Sequence, residues 1–305
     1  MGQERLKKVR LPTRWATDIS AVLNTVYGPN HFPISVPEIA LDLSKQWFPD
    51  DPLSVIQGEN LPGFDAALLT APAGKKGWGI LYNNGITSRG RINFTLAHEF
   101  GHYLIHRHAF PNGMRCSQQD IVRWDSEYKQ VEREANTFAA YLLMPLDDYR
   151  HQIDSRSTAT FELLSHCAER YEVSLIAATL RWLAYTERRA VLVVSREGFI
   201  LWARSSEAAF KSGAYIKTAQ SAVPVPDESV AARPEAFTTA RLGVSHPPGI
   251  WFSEPCQEMS IMSENYDFTL SLLHLSPESR NRSFAESDED ERETLGDQIR
   301  RIHNI

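Results

Sequence analysis

The spacing of apolar positions alternates between helical and strand-like periods over the first half of the chain. Apolar residues recur every three or four positions from about Thr13 to Tyr27, and this period returns from Ser35 onward, which predicts two helices. Turn residues then bound three short apolar runs that predict strands, namely Leu53–Gln57, Asp65–Ala71 and Trp78–Asn83. Helices mixed with short strands predict an α+β fold class.

Three further helical stretches follow these strands. The pattern predicts helices over Ile92–His106, Glu127–Leu143 and Phe161–Tyr185, the last with a break near Val173, and a loop from His108 to about Asp125. The last stretch has two interpretations: helices that pack on the preceding domain, or a DNA-binding helix-turn-helix. The stretch has no basic face, and this favours packing.

The pattern becomes strand-like after about Arg189. Two hairpins are predicted, the first from Ala190–Val194 with Phe199–Ala203, and the second from Gln257–Met262 with Tyr266–Leu275. The predicted division is a first domain over 1–145, a helical region over 146–188, a C-terminal α+β domain over 189–275 and a charged tail over 276–305.

Composition narrows the range of functions. The chain has 305 residues, 42% of them apolar, and a formal net charge of −6, so binding of nucleic acid by the whole surface is not expected. The three cysteines are few and odd in number, so they do not indicate a disulfide framework. No apolar run is long enough for a signal peptide or a membrane span. These features predict a soluble, cytoplasmic protein with no membrane partner.

The most informative motif is the string from His98 to His102, which reads HEFGH. Histidines four apart lie on one face of a helix, so His98 and His102 can bind one ion, and zinc accepts such ligands in a tetrahedron. Glu99 then lies beside the metal and suits the base that takes a proton from water. Gly101 is predicted to leave space beside the ion. The alternative is a pair of histidines on a buried helix that bind nothing.

A second acidic motif makes the metal site the better interpretation. Glu132 and Asn136 are four apart, so Glu132 can be the third ligand of one Zn²⁺ per chain, while Asn136 supports a ligand histidine with a hydrogen bond. Glu134 points about 200° round the helix from Glu132, and a solvated position is favoured for it. His106 shares a face with His102, and a solvent-facing histidine at a helix end is favoured over a partner of the metal ligand.

The two motifs together, HEFGHYLIH at 98–106 and EREANTFAAYLLMP at 132–145, resemble the ImmA/IrrE family of metallopeptidases. The resemblance extends over about Thr13 to Tyr185 and implies a zincin-like α+β domain. It maps the family's metal-binding histidines onto His98 and His102, its base onto Glu99 and its third ligand onto Glu132.

The resemblance also implies a substrate and a regulator. Family members typically cleave a helix-turn-helix repressor encoded nearby, which releases stress-response, mobile-element or phage-defence genes. The C-terminal pattern resembles the GAF-like or PAS-like sensor domain of the IrrE branch, so single-stranded DNA fragments or a small molecule are candidate activators. The chain departs from many family members because it has no room for an N-terminal helix-turn-helix domain. The alternatives are a sensor with a structural metal site and a DNA-binding regulator. The oligomeric state stays open.

Two further predictions concern regulation and substrate binding. Cys116 lies in the loop after the metal-binding helix, and its Arg-Cys segment resembles the inhibitory cysteine segment of matrix metalloproteinases, so its thiolate can occupy the open zinc position. A cysteine unrelated to the metal is an equal alternative. Trp78, Gly79 and Ile80 are the candidate edge strand that pairs with extended substrate, with a core strand as the other interpretation.

Overall fold

The computed structural model describes residues 10–72, 74–117, 126–218, 221–233, 235, 242–263 and 267–277, although the side chains of 115–117 and 126–128 lie outside this description. The chain divides into two compact units. Of the described residues, the first unit holds those up to Asp148 together with Glu169–Ser174, and the second holds Tyr149–Ala168 and those from Leu175 onward. Helices and sheets in both units confirm the α+β class, while the predicted domain boundaries and the tail at 276–305, which lies almost wholly outside the described residues, stay predictions.

The first unit combines helices with one small sheet. Its elements are α1 (Pro12–Tyr27), α2 (Val36–Trp47), β1 (Leu53–Glu59), β2 (Phe64–Thr70), β3 (Trp78–Asn83), α3 (Arg89–Ile105), β4 (Met114–Ser117) and α4 (Ser126–Leu143). Proline in the first turn starts both α1 and α2, where its missing N–H removes no helical hydrogen bond. The buried stripe of α3 and that of α4 pack against each other, which brings the two sequence motifs together.

The strand order in this sheet is β1-β3-β2-β4. Strand β3 pairs with β1 in parallel and with β2 antiparallel, so it lies inside the sheet. Of the two interpretations of Trp78, Gly79 and Ile80, the core strand is confirmed and the edge strand is wrong. Strand β4 lies within the predicted loop and pairs with β2, with Ala67 opposite Arg115. The short β4 has little pattern of its own, so its pairing depends on a distant strand that the local sequence does not reveal.

The second unit is built around a six-stranded antiparallel sheet. Its elements are α7 (Leu175–Leu183), β5 (Ala190–Arg196), β6 (Phe199–Ser205), α8 (Glu207–Lys211), β7 (Val223–Pro224), β8 (Val244–His246), β9 (Cys256–Ser263) and β10 (Phe268–Leu275), in the strand order β7-β6-β5-β10-β9-β8. The helices α5 (Leu146–Gln152) and α6 (Phe161–Tyr171) have residues assigned to each of the two units. Both predicted hairpins are present, as β5–β6 and β9–β10.

A buried carboxylate orders the irregular part of this unit. Glu258 is fully buried on β9 and accepts hydrogen bonds from the backbone N–H groups of Val230 and Ala231 at 3.1 and 2.9 Å. The indole Nε1 of Trp251 donates to the same carboxylate at 2.7 Å, and the Ser260 hydroxyl donates at 2.8 Å. Since a polar group is buried at little cost only when it is well hydrogen-bonded, these contacts fix two segments that have little regular structure.

A buried histidine makes the second unit sensitive to acid. Burial lowers the pKa of His274 to about 4, although the contact of its Nε2 with the Ala159 carbonyl at 3.0 Å opposes the shift and Arg188 adds to it. Between the unfolded pKa of about 6.5 and the folded value, the unfolded chain binds a proton that the folded chain does not. The stabilisation is therefore present near neutral pH and is lost as the pH falls from about 6.5 to 4.

We expect the free energy of unfolding to fall over this range by about 3 kcal/mol more in the wild type than in His274→Gln, which keeps a side-chain donor for Ala159. Urea titrations at pH 7, 6, 5 and 4 measure the difference, because the carboxylates titrate alike in both proteins. Parallel stability curves for the two proteins would show that His274 does not carry the acid sensitivity.

Candidate metal centre

The metal-binding motif lies in the buried middle of α3. The helix begins at Ser88, whose hydroxyl accepts a hydrogen bond from the Arg91 N–H at 3.3 Å and caps the first turn. Every residue from Phe94 to Leu104 is buried, including His98 and His102. Polar side chains are buried at this depth only when they are paired or bind a ligand, so the motif is not a solvated helix face.

Three potential ligand side chains converge between α3 and α4. The Nε2 atoms of His98 and His102 are 2.9 Å apart, Glu132 Oε2 lies 3.5 Å from His98 Nε2, and Glu132 Oε1 lies 3.3 Å from His102 Nε2. Within the described part of the chain, these residues are the one group of three or more histidine, cysteine, aspartate or glutamate side chains that could hold a metal ion.

The hydrogen bond at Nδ1 of each ligand histidine determines its tautomer and leaves Nε2 facing the other ligands. Asn136 Oδ1 lies 2.8 Å from His98 Nδ1, the type of contact predicted from the sequence, so His98 donates from Nδ1. His102 Nδ1 lies 3.1 Å from His106 Nδ1, and His106 Nε2 lies 3.1 Å from Glu134 Oε2. With Nδ1 of both ligand rings protonated, both Nε2 lone pairs point toward Glu132.

This set of donors fits a divalent cation. Two lone pairs 2.9 Å apart and a neighbouring carboxylate repel one another unless a positive charge lies between them. Zinc at about 2.0–2.2 Å from tetrahedral ligands separates the ligand atoms by about 3.3–3.5 Å. The observed separations of 2.9, 3.3 and 3.5 Å are close to that spacing. Three protein donors leave the fourth position for water or substrate, as in catalytic rather than structural zinc sites.

Glu99 adjoins the first histidine on the helix and is fully buried. An ionised carboxylate at such a position is costly without a nearby positive charge, and a cation held by His98 and His102 supplies one. A glutamate in this position can take a proton from water and later give it up.

His106 and Glu134 are the site residues for which the favoured sequence interpretation is wrong. His106 is 5% exposed rather than solvent-facing, and Glu134 contacts it rather than lying solvated. Burial lowers the pKa of His106 to about 4, with a further lowering from His102 and an opposing effect of Glu134, so its ring is neutral at pH 7. The i, i+4 spacing that identified the ligand pair repeats between His102 and His106, and this was the signal that could have identified His106.

Gly101 has a different role from the predicted one. A Cβ atom at this position would lie 2.9 Å from Phe138 Cδ1 and 3.3 Å from Ala135 Cα, both on α4. Gly101 therefore lets α3 and α4 approach closely, and this approach brings Glu132 to the histidines. The prediction that it leaves space beside the ion is wrong, because the nearest atoms belong to the facing helix.

Gly101→Ala is expected to lower both stability and metal affinity. Overpacking costs about 1–3 kcal/mol, and the better helix propensity of alanine offsets about 1 kcal/mol of it. Because α4 must move outward, Glu132 also moves away from His98 and His102. Urea unfolding of the metal-free protein and zinc competition with a chelator measure the two effects, and a variant that unfolds later and binds zinc as well as the wild type would contradict the packing role.

The remaining predicted site residues lie elsewhere or outside the described atoms. The Cys116 backbone belongs to β4, opposite Ala66 on β2, but its side chain is outside the described part, so the inhibitory zinc contact stays a prediction. Trp78, Gly79 and Ile80 belong to the inner strand β3, and the described strand at that end of the sheet, beyond β2, is β4. None of the described helices is long and apolar enough to cross a membrane.

Comparison with known proteins identifies the region that contains this centre. Residues 55–183 match the family model Peptidase_M78, described as the IrrE N-terminal-like domain. The match includes α3 and α4 with all the residues of the metal centre, and it confirms the resemblance to the ImmA/IrrE family. No curated protein matches the chain.

Proposed function

Because residues 55–183 match the IrrE N-terminal-like domain, we propose that the chain is a zinc-dependent endopeptidase that cleaves a helix-turn-helix repressor protein. The observation that carries this proposal is the convergence of His98, His102 and Glu132 at the spacing of tetrahedral zinc ligands, next to the buried Glu99. The family match supports metallopeptidase chemistry for the region that contains these residues.

In the proposed reaction, His98, His102 and Glu132 hold the ion. When bound, zinc supplies a Lewis acid that lowers the pKa of water and polarises the peptide carbonyl. Glu99 accepts a proton from the attacking water while the water oxygen forms a bond to the carbonyl carbon. Glu99 then gives that proton to the leaving amine as the C–N bond breaks, which returns the carboxylate to its starting form.

The substrate-binding strand in this proposal is β4 rather than β3. Strand β4 ends the described four-stranded sheet, and it has one described neighbour, β2. An extended peptide can add to the outer side of such a strand through main-chain hydrogen bonds. In this proposal, a peptide paired with β4 passes the metal-binding helix α3, which packs against β2, the neighbour of β4.

Regulation is assigned to the C-terminal region. The antiparallel sheet of the second unit and the irregular segments that Glu258 orders form a framework suited to a GAF-like or PAS-like sensor. A damage or infection signal such as single-stranded DNA fragments, or a small molecule, is the proposed activator, and cleavage in the cytoplasm would derepress stress-response, mobile-element or phage-defence genes. Displacement of the Cys116 thiolate from zinc is the proposed switch.

The proposal is tested by incubating the full chain with the helix-turn-helix protein encoded beside it, in zinc or in excess chelator, and with or without single-stranded DNA. A single specific cut that requires zinc, and that an unrelated unfolded protein does not undergo, supports the repressor protease. Zinc bound at one per chain with no cut of the repressor under any of these conditions would favour a sensor with a structural metal site.

A further inference from the structure

We infer that Glu134 and His106 form a positioning chain that orients and polarises His102, so that the two zinc-binding histidines are unequal ligands. This inference rests on the proposed metal centre and goes beyond it, because it assigns roles to two residues that do not contact the ion. The chain runs from the Glu134 carboxylate on α4 through His106 to His102, both on α3.

In the positioning chain, the donor and the acceptor of each hydrogen bond follow from the carboxylate at its end. Glu134 Oε2 is an acceptor, so His106 donates to it from Nε2 across 3.1 Å. His106 Nδ1 then carries a lone pair, and it accepts the proton of His102 Nδ1 across 3.1 Å. His102 is left with an Nε2 lone pair that points toward His98 Nε2 and Glu132.

The carboxylate at the start of the chain is itself held in place. The side-chain amide of Gln130 donates to Glu134 Oε1 at 2.7 Å, which leaves Oε2 for His106. Gln130 precedes Glu134 by one helical turn on α4, so both side chains are supported by the same helix. The orientation of His102 therefore depends on α4 through two contacts, one through Glu132 and one through Glu134.

Burial gives this chain electrostatic strength. The side chains of His102 and His106 are 0% and 6% exposed, and Glu134 is 26% exposed at the outer end. Hydrogen bonds are stronger in such low-dielectric surroundings than in water, and successive bonds polarise one another. The negative charge of Glu134 thus increases electron density at His102 Nε2, which makes His102 a better ligand for a cation.

The Nδ1 contact of the other histidine, His98, is with an amide oxygen. Asn136 Oδ1 accepts the Nδ1 proton of His98 at 2.8 Å, and an amide oxygen carries only a partial charge. Asn136 thus fixes the tautomer and the ring orientation of His98, whereas Glu134 acts on His102 through His106 with a full negative charge. Zinc affinity should therefore depend on the charge of Glu134, although Glu134 contacts His106 and not the zinc ligand His102 itself.

The test measures zinc affinity of the full chain by competition with a chromophoric chelator, and the visible absorption of the cobalt-substituted protein. We compare wild type with His106→Leu, which breaks the chain, and with Glu134→Gln, which keeps an acceptor for His106 but removes the charge. The matched control is Glu38→Gln, which neutralises an exposed carboxylate on α2. The unfolding midpoint of each metal-free variant shows whether it folds.

We expect His106→Leu to weaken zinc binding by about 10–100-fold, and Glu134→Gln by about tenfold, the lower end of the range for residues that support metal ligands. The cobalt absorption should shift in both variants and stay unchanged in Glu38→Gln. A purely structural role would change the unfolding midpoint and leave the cobalt spectrum alone. Should His106→Leu not fold, Glu134→Gln still decides the matter, because it alters one charge and almost no volume.

Zinc affinity within about twofold of wild type and an unshifted cobalt spectrum in Glu134→Gln would overturn the inference. The outcome is separable from that of the proposed function. If zinc binding is weakened in both variants but the wild type cleaves no repressor, the result supports the positioning chain of Glu134 and His106 and counts against the proposed protease function. A wild type that binds no zinc overturns both.

Discussion

Replacing Glu99 by glutamine is expected to lower the rate of peptide cleavage by about 10²–10⁴-fold, the usual contribution of a positioned general base. The amide has nearly the same shape as the carboxylate and cannot accept a proton from water. Glu99 is fully buried on α3, so a replacement must keep its volume. Glutamine has nearly the same volume and therefore leaves the packing of α3 in place.

The same variant should still bind zinc, and this separates loss of the base from loss of the site. Zinc content by mass spectrometry and the rate of repressor cleavage are measured on one preparation. Glu38→Gln serves as the charge-matched control and should cleave at the wild-type rate. Full cleavage by Glu99→Gln would remove Glu99 from the chemistry, even if zinc were bound as predicted.

Replacing Glu132 by glutamine should instead remove the metal. Loss of a direct ligand is expected to weaken zinc binding by more than the roughly 100-fold upper range seen for supporting residues. The remaining pair, His98 and His102, keeps its 2.9 Å separation but lacks the negative charge that balances a dication.

Thermal unfolding gives a second measure of the Glu132 effect. A ligand at about 100 times its dissociation constant stabilises the folded state by about 2.7 kcal/mol. Zinc at such a concentration should raise the melting temperature of wild type and Glu99→Gln but not that of Glu132→Gln. An equal rise in Glu132→Gln would assign the third ligand to another residue.

The parts of the site that lie within one helix could be predicted from the sequence. His98, Glu99 and His102 are related by the helical period alone, and the burial of α3 follows from its apolar neighbours. Asn136 and Glu132 followed from the same period on α4, although only the fold shows that the two helices pack face to face. Local geometry is encoded locally, and this is why these residues were identified.

Three of the incorrect predictions concern contacts between segments that are distant along the chain. Gly101 was placed beside the ion because the sequence does not show that α4 crosses the helix there. Glu134 was placed in solvent because its position on α4 was judged by angle, while a long glutamate side chain reaches round the flank of its helix to His106. Strand β3 stayed a candidate edge strand beside the core-strand interpretation because the strand order depends on pairing, which periodicity does not specify.

In the second unit, too, the sequence pattern did not predict elements that depend on contacts between distant segments. Alternating residues predicted its hairpins, but β7 and β8 lie in a stretch with no clear period. Contacts from Glu258 to the backbone of Val230 and Ala231 order the neighbouring chain, and a single buried carboxylate leaves no periodic trace in the sequence.

The measurement that tests the central claim most directly is zinc K-edge X-ray absorption on the zinc-loaded full chain, with anomalous diffraction to locate the ion. We predict one zinc per chain between α3 and α4, with two imidazole nitrogens from His98 and His102 at about 2.0–2.1 Å and a Glu132 oxygen at about 2.0–2.2 Å. Zinc bound away from these three residues, or no zinc bound at all, would contradict the account.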